Sequence, residues 1–177
     1  MTVYNENSVT FDPPGKFDFV FSSFSDHHIA TDEDTAARYL DNVKRNMHHR
    51  SSFIVGDEFL GQHDHRNPDE RRRAIIAYHD YILELARTQQ QQAPASEHAA
   101  FGTLLRLEEE AKQSGLAVVE GRPETPGGDY KVSLDHYLAR LRTAGFAHDA
   151  PILIGPSDVA QAQHSGGIWV IRAYLPT

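Results

Sequence analysis

The sequence predicts an α+β fold in which helices pack on one face of a mainly antiparallel sheet. Short runs of aromatic and β-branched residues, which are typical of strands, lie between longer segments whose apolar residues recur every three or four positions, as on a helix. The predicted order of elements is β–α–(β)–α–α–β–(β)–α–β–β. The chain has 177 residues, of which 40% are apolar, so residues 1–177 are expected to form a single domain with its own core.

The first half of the chain begins with a strand at 17–24, F-D-F-V-F-S-S-F, after the turn sequence D-P-P-G. A helix follows, with Thr31 or Asp32 as its N-cap, acidic residues in its first turn and basic residues in its last turn. The second helix begins at the sequence N-P-D-E, where Asn67 is the predicted cap and Pro68 takes the first helical position.

The second half begins after a break, Q-Q-Q-Q-A-P-A-S, which predicts a flexible connection. A third helix is predicted from a Ser96 cap to a Gly115 stop, followed by a strand, L-A-V-V-E-G. A loop containing Pro123, Pro126, Gly127 and Gly128 leads to the extended segment Y-K-V-S-L. A fourth helix and two strands, P-I-L-I-G and G-G-I-W-V-I-R-A-Y, complete the fold.

Residues 48–96 are interpreted as a helical insertion into this domain. They contain a short strand or loop at 52–55 and the second predicted helix. The remaining elements form a smaller β–α–β–β–α–β core.

Composition excludes several classes of function. The formal charge of −8 argues against a protein that binds nucleic acid through a broad basic surface. The chain has no cysteine, which excludes disulfides, thiolate metal sites and a cysteine nucleophile. The apolar runs are too short to cross a bilayer, and no signal peptide is recognisable. We therefore expect a cytoplasmic protein with neither a nucleic-acid nor a membrane partner.

Histidines offer one alternative kind of site. Most of the eleven histidines occur in pairs or in polar segments, where they are usually solvated. His63, His65 and His79 could bind a divalent cation together with Asp64 or Asp80. Their spacing matches no established metal motif, so no metal is predicted. The chain also has neither the G-x-S-x-G motif of serine hydrolases nor a glycine-rich phosphate loop.

Three segments place small or polar residues at predicted strand ends, namely 17–24, 115–134 and 163–171. Strand ends of one sheet lie close in space, so these segments could form one pocket. Glu120, at the end of L-A-V-V-E, is its candidate carboxylate, although a plain hairpin end would have the same pattern.

Four motifs, taken in order, resemble a known family. They are F-V-F-S-S-F on the first strand, T-D-x(5)-R at Thr31, Asp32 and Arg38, G-L-x-x-V-E from Gly115 to Glu120 before a loop that ends in Tyr130–Lys131, and H-S-G-G from His164 to Gly167. Over about half of the chain, the sequence is similar to the small phage enzymes that degrade S-adenosylmethionine, long called hydrolases and now described as lyases.

The resemblance implies a PII-like or ferredoxin-like sandwich that forms homotrimers with active sites between subunits. It implies a lyase that converts S-adenosylmethionine to methylthioadenosine and homoserine lactone in the host cytoplasm, without a cofactor, and so counters restriction.

The resemblance also implies roles for individual residues. Glu120 would be the functional glutamate, holding the substrate's ammonium or balancing its sulfonium, with Phe24 or Tyr130 as an aromatic partner of the cation. The other implied substrate-binding residues are Ser22, Ser23, His164, Gly166 and Gly167.

Two other functions stay open. The chain could be a non-catalytic PII-like protein that binds a small ligand, or a phage structural or assembly protein that oligomerises through its sheet edges. A metal-dependent hydrolase that uses His63, His65 and His79 is a third possibility.

Overall fold

The computed structural model of the protein describes residues 6–30, 32–122 and 130–176. In order, its elements are β1 (Phe17–Ser23), α1 (Asp26–Ile29), α2 (Glu33–Arg45), β2 (Met47–Phe59), α3 (Pro68–Gln92), a short 3-10 turn (Ala95–Glu97), α4 (His98–Val119), α5 (Leu134–Thr143), β3 (Ala147–His148), β4 (Ile152–Gly155), α6 (Val159–Ser165) and β5 (Gly167–Tyr174).

The strands form one open, mixed sheet. β1 pairs in parallel with β2, β2 pairs antiparallel with β5, and β3 and β4 pair in succession with the other edge of β5. The α+β class is therefore confirmed, whereas the expectation of a mainly antiparallel, PII-like sheet is corrected. The physical reason is the connection through α1 and α2, which is long enough to return the chain so that β2 runs parallel to β1.

Two helix starts follow the local sequence as predicted. The carboxylate of Asp32 accepts a hydrogen bond from Thr35 N at 2.6 Å and caps α2. The amide oxygen of Asn67 accepts from the backbone of Asp69 and Glu70 at the start of α3. Thr31, the alternative cap of α2, lies outside the described residues.

The predicted strand at L-A-V-V-E-G is wrong, because α4 continues through it to Val119. Leu116 is buried in a second apolar cluster with Leu60 and Ile75, so packing against α3 extends the helix past Gly115. Beyond the C-cap residue Glu120, the chain turns at Gly121, whose φ of +64° suits glycine. The predicted loop over Pro123, Pro126, Gly127 and Gly128 lies outside the described residues.

The main core lies between the sheet and two helices. Tyr39 and Leu40 of α2 and Leu141 of α5 pack on Phe53 of β2 and Ile171 of β5, all of them buried. Phe19, Phe21, Ile152 and Ile154, by contrast, are exposed. The residues of the predicted 48–96 insertion form most of β2, which lies inside the sheet, and α3.

Within the described residues, no helix combines the length and the apolar character needed to cross a membrane.

Candidate functional site

The carboxyl ends of the parallel strands β1 and β2 meet at the same edge of the sheet, where open sheets of this kind bind ligands. α1 begins three residues after β1 and carries Asp26 and His27. Asp57 lies near the end of β2, directly beside them. All three side chains are buried, so polar and ionisable groups are concentrated at this edge.

His27 and Asp57 form a buried dyad. The imidazole Nδ1 of His27 lies 2.6 Å from Asp57 Oδ1, and the two residues are 8% and 2% exposed. The same carboxylate accepts from the backbone N–H of Glu58 at 2.8 Å and of His27 at 3.3 Å, which fixes its orientation. Because a carboxylate can only accept hydrogen bonds, Nδ1 carries the proton and Nε2 is left as the basic nitrogen of the ring.

Asp26 is the buried acid next to this dyad. Ser22, Tyr39 and Tyr137 each donate a hydroxyl hydrogen bond to its carboxyl group. Burial raises the pKa of Asp26, and the nearby Asp57 raises it further, while the three hydroxyl bonds lower it; the overall shift is upward. Asp26 therefore keeps its proton to a higher pH than an exposed aspartic acid does.

A cavity lies between these groups. Its lining includes Asp26, His27, Asp57 and Tyr137, and extends to Tyr130 and Arg140. The cavity measures about 20 Å³, which is room for a group the size of a water molecule. The ring nitrogen of His27, the buried carboxyl group of Asp26 and this space together suit proton transfer to or from a small polar group.

A second cluster centres on Glu33, the first residue of α2. Oε1 of Glu33 lies 3.1 Å from Nε2 of both His65 and His136, and 3.2 Å from the hydroxyl of Tyr130, which donates to it. Arg140 donates to both carboxylate oxygens, at 2.5 Å and 3.0 Å. The imidazole rings of His65 and His136 stack with their centroids 4.0 Å apart.

These contacts shift several pKa values. Partial burial raises the pKa of Glu33, but the bonds from His136, His65 and Arg140 outweigh it and hold that pKa far below its usual range. Burial lowers the pKa of His65, and the neighbouring His136 lowers it further, against the bond from Glu33. Burial likewise lowers the pKa of Arg71, whose guanidinium lies 4.4 Å from the centre of the Tyr130 ring.

One group of possible metal ligands exists among the described residues. It consists of Glu33, His65 and His136, whose ligand atoms lie within 4.8 Å of one another. It shares only His65 with the alternative set considered in the sequence, because His79 instead bonds Glu108 between α3 and α4 at 2.7 Å. The oxygen of Glu33 that would bind a metal already receives a hydrogen bond from Arg140, so a cation would face a fixed positive charge.

The structure brings only two of the predicted site residues to these clusters. Ser22 donates to Asp26, and Tyr130 contacts Glu33 and His65. Ser23 and Phe24 are exposed at the end of β1 and just beyond it. The other predicted substrate-binding residues lie where α6 ends and β5 begins, namely His164, Gly166 and Gly167.

Glu120 contacts Arg72 and Arg122 and, among the described residues, no member of either cluster. It follows the last residue of α4 and forms ion pairs with Arg72 and Arg122, each at 2.7 Å. The sequence analysis placed Glu120 at a strand end, whereas it lies at the end of a helix. A glutamate held by two arginines at a helix end is accounted for by local charge pairing.

The residues that sequence analysis missed have a signal that could have found them. D-H-H follows the first strand by two residues, and G-D-E lies near the end of the next strand. Had these strands been predicted to be parallel, the same edge-of-sheet argument would have placed Asp26, His27 and Asp57 together. The second cluster has no such signal, since Glu33, His65 and His136 come from three distant segments.

Comparison with known proteins identifies the fold alone. No protein-family model matches the sequence, and no curated protein matches it. Among solved structures, LepI in complex with SAM (S-adenosylmethionine) matches with a TM-score of 0.50 and 11% identity over 97% of this chain and 29% of LepI. PigF with SAH (S-adenosylhomocysteine) matches with a TM-score of 0.50 and 19% identity over 97% of this chain and 38% of PigF. The mitomycin 7-O-methyltransferase MmcR matches with a TM-score of 0.48 and 12% identity over 97% of this chain and 33% of MmcR.

These matches correct the expected family. The predicted membership of the phage S-adenosylmethionine-degrading family is wrong, because the chain shares its fold with LepI and PigF and not with a PII-like protein. The lyase activity, the anti-restriction role and the phage origin inferred from that resemblance are withdrawn with it, and the homotrimer has no support. The PII-like binding protein and the assembly protein gain no support either.

The chain spans about a third of the length of LepI and PigF, at 29% and 38%. Identities of 11% and 19% show a common fold and leave the activity to the chemistry of the site. Over 97% of its length, this chain has the fold found in LepI and PigF.

Proposed function

We propose that the chain contributes the proton-accepting side of a methyl-transfer site that uses S-adenosylmethionine. The observation that carries this proposal is the buried His27–Asp57 dyad at the carboxyl ends of β1 and β2. The fold shared with LepI, solved with SAM, and PigF, solved with SAH, supports the choice of methyl donor, because SAH is what SAM becomes when it gives up its methyl group.

His27 would act as the general base. As the bond from an acceptor oxygen or nitrogen to the methyl carbon forms and the bond from that carbon to sulfur breaks, Nε2 of His27 takes the proton that the acceptor loses. Nδ1–H remains bonded to Asp57 Oδ1 at 2.6 Å, so the carboxylate stabilises the positive charge that develops on the ring. S-adenosylmethionine, when bound, supplies the methyl group on a sulfonium that is already a good leaving group.

The size and lining of the cavity suit the reacting group of a methyl acceptor. Its volume of about 20 Å³ accommodates the reacting hydroxyl or amine of an acceptor rather than a nucleoside. Asp26 and Tyr137 line the same space and can orient that group by hydrogen bonds.

Binding of the methyl donor is the first test. The purified chain is titrated with SAM and with SAH by isothermal calorimetry, and release of SAH is then followed with a panel of hydroxyl- and amine-bearing acceptors. Saturable binding of both compounds is expected. A chain that binds neither compound would contradict the proposal.

The role of His27 is tested with the acceptor that gives turnover. Loss of a general base lowers a rate by about 10²–10⁴-fold, so His27→Ala and Asp57→Asn should lose turnover while still binding SAH. His49→Ala is the matched control, because His49 is an exposed histidine of β2. Equal rates for His27→Ala and His49→Ala would exclude His27 as the base.

A further inference from the structure

Cationic side chains surround Tyr130 at one end of the cavity. The guanidinium carbons of Arg71, from α3, and Arg140, from α5, lie 4.4 Å and 5.5 Å from the centre of the Tyr130 ring. His65 and His136 stack beside them. In the described part of the chain, Glu33 is the one carboxylate that forms an ion pair with any of these four side chains. Two arginines thus face one carboxylate, and the cluster has an excess of positive charge.

Arg71 is the charged side chain of this cluster for which the described residues provide no acidic partner. It is only 9% exposed, and no carboxylate among the described residues forms an ion pair with it. Its buried Nε has no hydrogen-bond partner in that part of the chain. Buried charges are normally paired, because removing them from water is costly. Burial lowers the pKa of Arg71 and the nearby Arg140 lowers it further, which together outweigh the opposite effects of Tyr130 and Glu33.

We propose that Arg71, Arg140 and His136 bind an oxyanion group, a carboxylate or a phosphate, of the acceptor whose reacting hydroxyl or amine occupies the cavity beside His27. Arginine is suited to this role because its planar fork of N–H donors matches the geometry of both oxyanions. Arg140 and Tyr130 line the same cavity as His27 and Asp57. Arg71 lies against Tyr130, and His136 shares Glu33 with Arg140, so the acidic group would bind next to the cavity that receives the reacting group. The identity of the bound molecule as the acceptor rests on the proposed function, whereas the binding of the anion does not.

The alternative occupant of this cluster is a metal ion at Glu33, His65 and His136. Replacing Arg71 distinguishes an anion from a metal ion, because its positive charge affects the two in opposite ways. An anion is attracted by its guanidinium, so Arg71→Met should weaken anion binding. A divalent cation is repelled, so the same substitution should strengthen metal binding.

The experiment is a calorimetric titration of the full chain, without S-adenosylmethionine, against benzoate, inorganic phosphate and uncharged benzamide at constant ionic strength. Benzoate or phosphate should bind at least about tenfold more tightly than benzamide, and Arg71→Met should weaken that binding by about tenfold or more, as expected for charge-assisted hydrogen bonds. Arg73→Met is the matched control, because it removes the same charge from an exposed position on α3.

Several results would overturn the inference. The inference is wrong if neither anion binds the unaltered chain or if benzamide binds as well as benzoate. It is also wrong if Arg73→Met weakens binding as much as Arg71→Met does. A Zn²⁺ titration that becomes tighter in Arg71→Met, without anion binding, would assign the cluster to a metal instead. If circular dichroism shows that Arg71→Met is unfolded, His136→Gln is compared with the exposed control His164→Gln, and only the first should weaken anion binding. Because no methyl donor is present, failure here is distinct from failure to bind SAM.

Discussion

Gly61→Ala should destabilise the protein, because the end of β2 approaches α6 too closely to admit a side chain. Gln62 N donates to Gln163 O at 2.8 Å, which holds the two segments together. A Cβ atom on Gly61 would lie 2.1 Å from the carbonyl oxygen of His164 and 3.1 Å from that of Gln163. Ordinary contact requires the backbone of β2 or α6 to move by more than ~1 Å.

The expected magnitude follows from this overlap. Extra methyl groups in a packed region cost about 1–3 kcal/mol, and about 1 kcal/mol shifts the Tm of a domain of this size by about 2–4 °C. Gly61→Ala should therefore lower the Tm by about 2–12 °C. Gly102→Ala is the matched control, because Gly102 lies inside α4 and a Cβ atom there would have nothing within 4 Å. It should raise stability by about 0.5–1 kcal/mol through helix propensity.

The assay is thermal unfolding of both variants and the unaltered chain, followed by circular dichroism at 222 nm and repeated in urea to obtain the free energy of unfolding. The same substitution should have opposite signs at the two positions. A Gly61→Ala variant as stable as the unaltered chain would show that β2 and α6 do not pack as closely as described.

Three further predictions concern burial and charge. The pKa of Asp26 is raised in the folded protein, so its contribution to stability is fully present below the ordinary pKa near 4 and is lost as the pH rises through the folded-state value. Asp26→Asn should therefore gain stability relative to the unaltered chain as the pH rises above about 4, measured by urea titrations. Glu33→Gln should lower the free energy of unfolding at pH 7 by up to about 1 kcal/mol, a small amount because Glu33 is half exposed. Because the pKa of Glu33 is lowered in the folded protein, this loss should become smaller as the pH falls below the ordinary pKa of 4.5. Leu141→Ala should cost about 2–5 kcal/mol in urea unfolding because Leu141 is fully buried, whereas Leu107→Ala, at an exposed position, should change stability by less than about 1 kcal/mol; equal costs would contradict the assigned core.

Local sequence predicted the starts of α2 and α3 well. Asp32 and Asn67 cap these helices with their own side chains, and Pro68 lacks only an N–H that has no partner within the helix. Such features depend on neighbours in sequence, so no knowledge of the fold is required. The strand at 17–24 was predictable for the same reason, and β1 covers Phe17–Ser23.

Packing decided the elements that were predicted wrongly. Gly115 is a reasonable helix stop in isolation, but Leu116 gains burial against α3 and carries α4 on to Val119. Glu120, predicted at a strand end, therefore lies at a helix end beside Arg72 and Arg122. The parallel pairing of β1 with β2 could not be predicted from the sequence either, because the same pattern of residues fits parallel and antiparallel strands.

The sequence by itself determined the caps of α2 and α3, the first strand, the α+β class and the absence of cysteine chemistry, because these follow from composition and from neighbouring residues. Only the tertiary structure decided the site. It joins His27 to Asp57, thirty positions apart, by placing the ends of two parallel strands side by side. It also gathers Glu33, His65 and His136 from α2, the β2–α3 connection and α5. Distances between such side chains depend on strand direction and helix packing, which the order of residues does not specify.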